Sequence, residues 1–193
     1  MRALFVLLFA FSFYSSLTKA QNIALKTNVV TDLTGTINLG AELITNEQWT
    51  VNLSGNLNKW NHSHGRRWKH WVVQPEVRYW LCESFGGHFV GLHLQGGMYN
   101  IGNLKNGIHF LGTDFSKISH GRYQGWLLGG GIAYGYDWIL SKHWNLETEI
   151  GIGYNFTKSD RYPCATCGQK LESGTVHHYF GPTKIALNIV YIW

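Results

Sequence analysis

From Trp144 to Phe156 the chain alternates without a break. Trp144, Leu146, Thr148, Ile150, Ile152, Tyr154 and Phe156 take one parity; Asn145, Glu147, Glu149, Gly151, Gly153 and Asn155 take the other. Successive side chains of a strand point to opposite faces, so this stretch reads as a strand with one apolar and one polar face. Ile185, Leu187, Ile189, Tyr191 and Trp193 form a second such stripe, and the sequence stops on its last aromatic. An apolar stripe ending on a C-terminal aromatic is the pattern of the closing strand of an outer-membrane β-barrel. The stripe faces lipid, the aromatic sits at the interface and the other face looks inward. Ile189, Tyr191 and Trp193 are therefore read as a membrane-assembly signal, with barrel-assembly machinery as the partner during insertion.

Six further segments alternate. They start near Ile23, Ile37, Trp49, Trp71, Val90 and Gly125, and most match the nine to eleven residues that cross a bilayer at a tilt. The total of eight is even, as single-chain bacterial barrels require. The connections supply an independent criterion. Those after segments two, four and six are short: Asn46 to Gln48, Glu83 to Gly87, and Ser141-Lys142. Those after segments three, five and seven are long: Lys59 to Lys69, Asn100 to Tyr123, and Thr157 to His177. Asp32 to Gly35, after the first segment, is the one short exception. With the N-terminus in the periplasm, every long connection falls outside, as membrane barrels arrange them. The expected fold is all-β, an eight-stranded antiparallel up-and-down transmembrane β-barrel. A soluble secreted barrel that binds a ligand is the alternative that alternation alone leaves open.

The N-terminus agrees with export. Arg2, the apolar run Ala3 to Phe13 and Thr18-Lys19-Ala20 fit a signal peptide over 1–20, leaving 21–193 as the barrel. The apolar run is too short for a helical span. Losing Arg2 and Lys19 takes the net charge from +5 to +3. That excess and the exported location exclude nucleic acid as a partner. Composition fits a membrane barrel: 9 Trp, 10 Tyr, 10 Phe and 23 Gly against 3 Pro. These numbers suit aromatic girdles and glycine-rich strands.

On the inward parity lie Lys26, Asp32, Glu42, Glu76, Arg78, Asp137, Glu147, Glu149 and Lys184. An eight-stranded barrel is just wide enough for side chains to fill it. The expectation is a plug of paired charges rather than a pore. Arg78, with its planar fork, is the cation expected to bridge carboxylates. The glycines of the sixth segment leave room for bulky neighbours or for curvature.

The long connections hold most of the histidine and surface cation: His62, His64, Arg66, Arg67, Lys69 and His70; then Lys105, His109, Lys117, His120 and Arg122; then Lys158, Arg161, Lys170, His177 and His178. A basic rim there suits lipopolysaccharide phosphates or an acidic partner. Cys164 and Cys167, separated by two residues in an exported chain, are expected to form a disulfide. Together with His177 and His178 they also have the atom types of a zinc site. Cys82 stands alone near a short turn. No cofactor is expected. Ser63 with His62 and His64, or Ser116 with His120 and Asp114, are the candidate residues for a lipid A-modifying enzyme. Neither set forms a recognisable motif, so the chain is read as a non-enzyme, with that activity as the alternative.

The stretches LKTNVVTDLTGTINLGAEL (25–43), KHWVVQPEVRYWLCESFGGHFVGLH (69–93), LGTDFS (111–116), GYDWILSKHWNLETEIGIGY (135–154) and HHYFGPTK (177–184) resemble an uncharacterised family of small envelope proteins from Bacteroides-type bacteria, a domain of unknown function. The resemblance covers nearly all of 21–193. It implies an OmpA- or OmpX-like outer-membrane barrel, in some members joined to a peptidoglycan-binding domain that this sequence lacks. Members lie near genes for fimbrial surface proteins, which implies a role in surface assembly or adhesion. The family has no established activity, so no catalytic residue is implied.

Overall fold

The computed structural model describes residues 23–59, 67–102, 109–110, 113–114, 121–164 and 168–193. The alternating segments become eight antiparallel strands closed into a ring. They are β1 (Ile23–Asn28), β2 (Ile37–Asn46), β3 (Trp49–Asn58), β4 (Arg67–Trp80), β5 (Gly87–Gly102), β8 (Arg122–Ile139), β9 (Trp144–Tyr162) and β10 (Glu172–Ile192), with a small hairpin of β6 (His109–Phe110) and β7 (Thr113–Asp114) between β5 and β8. Each barrel strand pairs with its neighbours in the chain, and β1 closes on β10 from Ala24↔Ile192 to Asn28↔Asn188. The fold is the all-β, eight-stranded up-and-down ring expected from the alternation. The proposed signal peptide lies outside the described residues.

The parity of the connections is built into the ring. Residues 47–48, 81–86 and 140–143 turn at the end where β1 starts and β10 finishes, here the near end. At the far end lie Asn28 and Ile37, Asn58 and Arg67, Gly102 and Arg122, and Tyr162 and Glu172, the strand ends that the remaining connections join.

Four details differ from the alternation reading. The first segment does not run to Thr31. It stops at Asn28, whose side chain accepts from the Val30 N–H and caps a one-turn helix, α1 (Val29–Leu33). An N-cap asparagine satisfies an otherwise orphan helix donor, which makes this break favourable. Asp32 therefore sits on α1 and not in the lumen; it accepts from Thr27 Oγ1 at 2.6 Å and from the Asn38 N–H at 3.1 Å. Second, β8, β9 and β10 run to 18, 19 and 21 residues, about twice what a bilayer needs. Third, much of what reads as long loop is therefore ladder: Thr157 pairs with His177, and Arg161 with Glu172. Fourth, the last strand is interrupted by a register shift between Pro182 and Lys184. Proline has no N–H to give the ladder and is tolerated at such a bulge.

Burial is inverted relative to a water-soluble protein. Leu39, Leu53, Leu92, Leu94, Ile132 and Ile150 are all exposed on the outward face, whereas the inward face is mostly polar and buried. Aromatic residues bracket the apolar band. On β4, Trp71 and Tyr79 flank Val73 and Val77; Trp49 and Tyr79, and Trp144 and Tyr191, pack at 5.1 and 5.0 Å near the near end. Trp71 to Tyr79 spans ~27 Å of strand, or ~21 Å along the barrel axis at a tilt of ~40°.

The near end of the lumen is closed by an apolar layer. Trp80 and Phe89 are fully buried with ring centroids 4.7 Å apart, and Phe85 folds in from the 81–86 turn. Gly135 makes space for this layer, since a Cβ there would meet Phe89 Cζ at 2.3 Å.

Candidate functional site

Above the apolar layer lies an ionic network centred on Arg78. Its Nη1 donates to Glu42 and to Glu147, both at 2.8 Å, and its Nη2 donates to Glu149 at 2.7 Å. Its Nε lies 3.0 Å from Glu76. Lys26 bridges Glu42 and Glu147, and Lys184 joins Glu76 to Glu149. Thr50 Oγ1 adds a donor to Glu42. Asn188 Nδ2 adds one to Glu147 at 2.7 Å. None of these charged residues is more than 9 % exposed.

Register explains the convergence. Glu42 pairs with Asn52, Asn52 with Glu76, and Glu76 with His93, so one rung carries two carboxylates, on β2 and β4, with Asn52 of β3 between them. Ring closure brings Glu147 and Glu149 of β9 across the lumen to the same guanidinium. Room is left by Gly91, where a Cβ would stand 2.0 Å from Glu76 Oε1. Arg78 also lies over the Phe89 ring, 4.4 Å from its centroid, which joins the ionic and apolar layers.

Three cations face four carboxylates, and each carboxylate reaches at least two positive groups or donors. Buried charges of this kind are tolerated only when paired and hydrogen-bonded, so the arrangement fixes the lumen rather than exposing a reactive group. Seven of the nine charged residues placed on the inward parity meet here: Lys26, Glu42, Glu76, Arg78, Glu147, Glu149 and Lys184. Asp137 is equally buried but stands toward the near end, opposite Glu147 in register, with no hydrogen bond from its oxygens into the network.

Toward the far end amide and hydroxyl side chains take over most of the lumen. Gln74 donates to Gln95 at 2.8 Å, and His93 Nε2 meets Thr183 Oγ1 at 2.9 Å. A cavity of about 190 Å³ lies between Asn38, Asn52 and Asn56 on one side and Lys184 and Asn188 on the other, with Thr31 of α1 at its mouth.

The remaining sequence candidates are dispersed. Ile189 is exposed on the outward face, Tyr191 packs on Trp144, and the Trp193 N–H donates to the Ile23 carbonyl at 3.0 Å. Cys164 is disulfide-bonded and Cys82 is a free, exposed thiol; Cys167 lies outside the described residues. His177 and His178 are consecutive on β10 and so point to opposite faces, His178 meeting the Tyr154 hydroxyl. Among the described residues no group of three or more His, Cys, Asp or Glu could hold a metal ion. Ser63, Ser116, His62, His64 and His120 lie outside the described residues, and Asp114 is on β7. Lys69 and His70 belong to β4, Arg122 to β8, and Lys158 and Arg161 to β9, so these cations are carried by strands.

Sequence reasoning missed the apolar layer. Trp80 and Phe89 take the inward parity of β4 and β5, the same parity as Arg78 and His93. The signal was there, but it conflicted with the polar character of the rest of that face.

No curated protein and no solved structure matches this chain. A family model does, over residues 3–193, under the description "protein of unknown function (DUF3575)". The chain belongs to that family.

Proposed function

We propose that this protein is an outer-membrane β-barrel with no transport path through its lumen, whose role is structural or adhesive and is exerted at the far end. The observation that carries this reading is the inverted burial: a continuous outward belt of exposed leucine, isoleucine, valine and aromatic residues around a lumen of buried charge. Exposed apolar patches beyond a few hundred Å² mark interaction or membrane surfaces, and a belt around the whole ring matches lipid. The Arg78 network and the Trp80–Phe89 layer fill the lumen, which favours a scaffold over a channel. The long β8, β9 and β10 rise past the belt and suit a display surface. On this reading the N-terminus is periplasmic, and the chain is exported by a signal peptide over 1–20 and inserted by barrel-assembly machinery. The far end then meets lipopolysaccharide and fimbrial or other surface proteins. Catalysis is not part of the proposal.

The test is a heat-modifiability gel on isolated outer membranes. Membrane barrels stay folded in detergent until boiled, so the unboiled band should migrate apart from the boiled one. A single band, with the protein in the soluble periplasmic fraction, would overturn the proposal.

A further inference from the structure

The outward face near the far end carries a groove of about 390 Å³ that the lumen network does not involve. Two rows of side chains, two residues apart along each strand, form its walls. The row nearer the membrane midplane is apolar: Leu57 pairs with Trp71, Trp71 with Met98, and Met98 with Trp126. The row above is polar: Lys69 pairs with Asn100, Asn100 with Gln124, and Gln124 with Asp160. Lys59, the residue after the end of β3, lines the same groove as Lys69. All these residues line the groove.

Among the described residues, Lys59 and Lys69 take part in none of the ion pairs. Two cations lining one groove repel each other, and an anion between them would relieve that repulsion. The one acidic wall residue, Asp160, is already neutralised by Lys170 at 2.5 Å and by the Gly174 N–H at 2.8 Å. From Leu57 to Trp126 the apolar row crosses four strands, ~14 Å at the usual strand spacing. That width holds several acyl chains side by side, and the amides of Asn100 and Gln124 beside the lysines suit sugar hydroxyls.

Resting on the outer-membrane reading above, we infer that this groove docks a phosphorylated, multiply acylated glucosamine lipid of the lipid A type. A phosphate lies between Lys59 and Lys69, sugar hydroxyls meet Asn100 and Gln124, and acyl chains run down over Trp71, Met98 and Trp126. The polar wall stands where headgroups meet chains, the depth at which juxtamembrane lysines attract anionic lipid.

The experiment uses the exported protein purified in mild detergent. Bis-phosphorylated lipid A, its phosphate-free form and phosphatidylglycerol are each titrated in, and bound lipid is read by native mass spectrometry. The wild type should retain one bis-phosphorylated lipid A. Lys59→Gln with Lys69→Gln should weaken that binding about thirtyfold while the heat-modifiable band is kept. Equal binding by the double variant, or equal retention of the phosphate-free lipid, would overturn the inference. Lysine-dependent retention of phosphatidylglycerol at the same strength would overturn the choice of lipid. Loss of heat-modifiability in the wild type would instead strike the outer-membrane reading itself.

Discussion

Replacing Arg78 with methionine should do more damage than any other single change in the lumen. The guanidinium contacts Glu42, Glu76, Glu147 and Glu149 at 2.7–3.0 Å, and all five side chains are fully buried. Without it, Lys26 and Lys184 are left to neutralise four carboxylates. Each lost charge-assisted hydrogen bond is worth ~1.5–3 kcal/mol, but the cost of burying the guanidinium is recovered. Removing one partner of a buried ion network therefore costs about 3–5 kcal/mol net. With an m-value of ~2.5–3 kcal/mol/M, the urea midpoint of the barrel refolded in lipid vesicles should fall by about 1–2 M. Tryptophan fluorescence and the loss of the fast-migrating gel band should report the same transition. Adding Glu147→Gln and Glu149→Gln to Arg78→Met leaves two carboxylates for two lysines, and most of the stability should return. A midpoint within ~0.3 M of wild type for Arg78→Met alone would refute the reasoning, because the lumen would then be wet enough to screen its charges.

Other expectations follow from the belt, the cysteines and the far-end hairpin. Leu92, which is 64 % exposed on the outward face, should cost about 2–4 kcal/mol when changed to arginine in a bilayer, measured by the same urea titration against Leu92→Ala. A maleimide probe should modify Cys82 in the folded, oxidised protein and reach Cys164 only after reduction, read by mass spectrometry of peptides. Asp160, in the polar row above the belt, is held at about 2 by hydrogen bonds from Lys170 and from the Gly174 N–H. Its folded value lies below the ~3.9 of an unfolded aspartate, so its contribution is full above pH ~4 and is lost as pH falls toward 2. Hydrogen-exchange protection factors of the β9–β10 hairpin, corrected for the intrinsic pH dependence of amide exchange, should be insensitive to this group between pH 5 and 7 and should fall in the acid range. Asp160→Asn should remove that acid step, and high salt should weaken it.

The strand count and faces were legible because the outward residues share one solvent, lipid, and the inward ones another. Alternation survives wherever the two faces differ, which is why Trp144 to Phe156 reads so plainly. It fails where both faces meet water. Thr157 to Tyr162 and Glu172 to His178 carry polar residues on both parities, so the continuing ladder read as loop. It fails also where local chemistry competes: Asn28 caps α1, and Asp32 then leaves the lumen. The lumen charges could be assigned to a face from parity alone, but their partners could not. Whether Arg78 meets Glu147 across the ring depends on shear and closure, which no single strand encodes. Asp137 shows the limit, with the right parity but a level nearer the apolar layer. The groove at Lys59 and Lys69 was hidden for a similar reason, since its walls are rows that run across strands.

The central claim is that the apolar belt lies in lipid. Spin labels at Ile132→Cys, Ile152→Cys and Lys142→Cys, each in a Cys82→Ala background with Cys164 kept oxidised, test it directly. In isolated outer membranes, labels at 132 and 152 should be accessible to dissolved oxygen and shielded from an aqueous nickel complex, whereas the label in the 140–143 turn should show the reverse. Labels at 132 and 152 that respond to the nickel complex as strongly as the one at 142 would contradict the account.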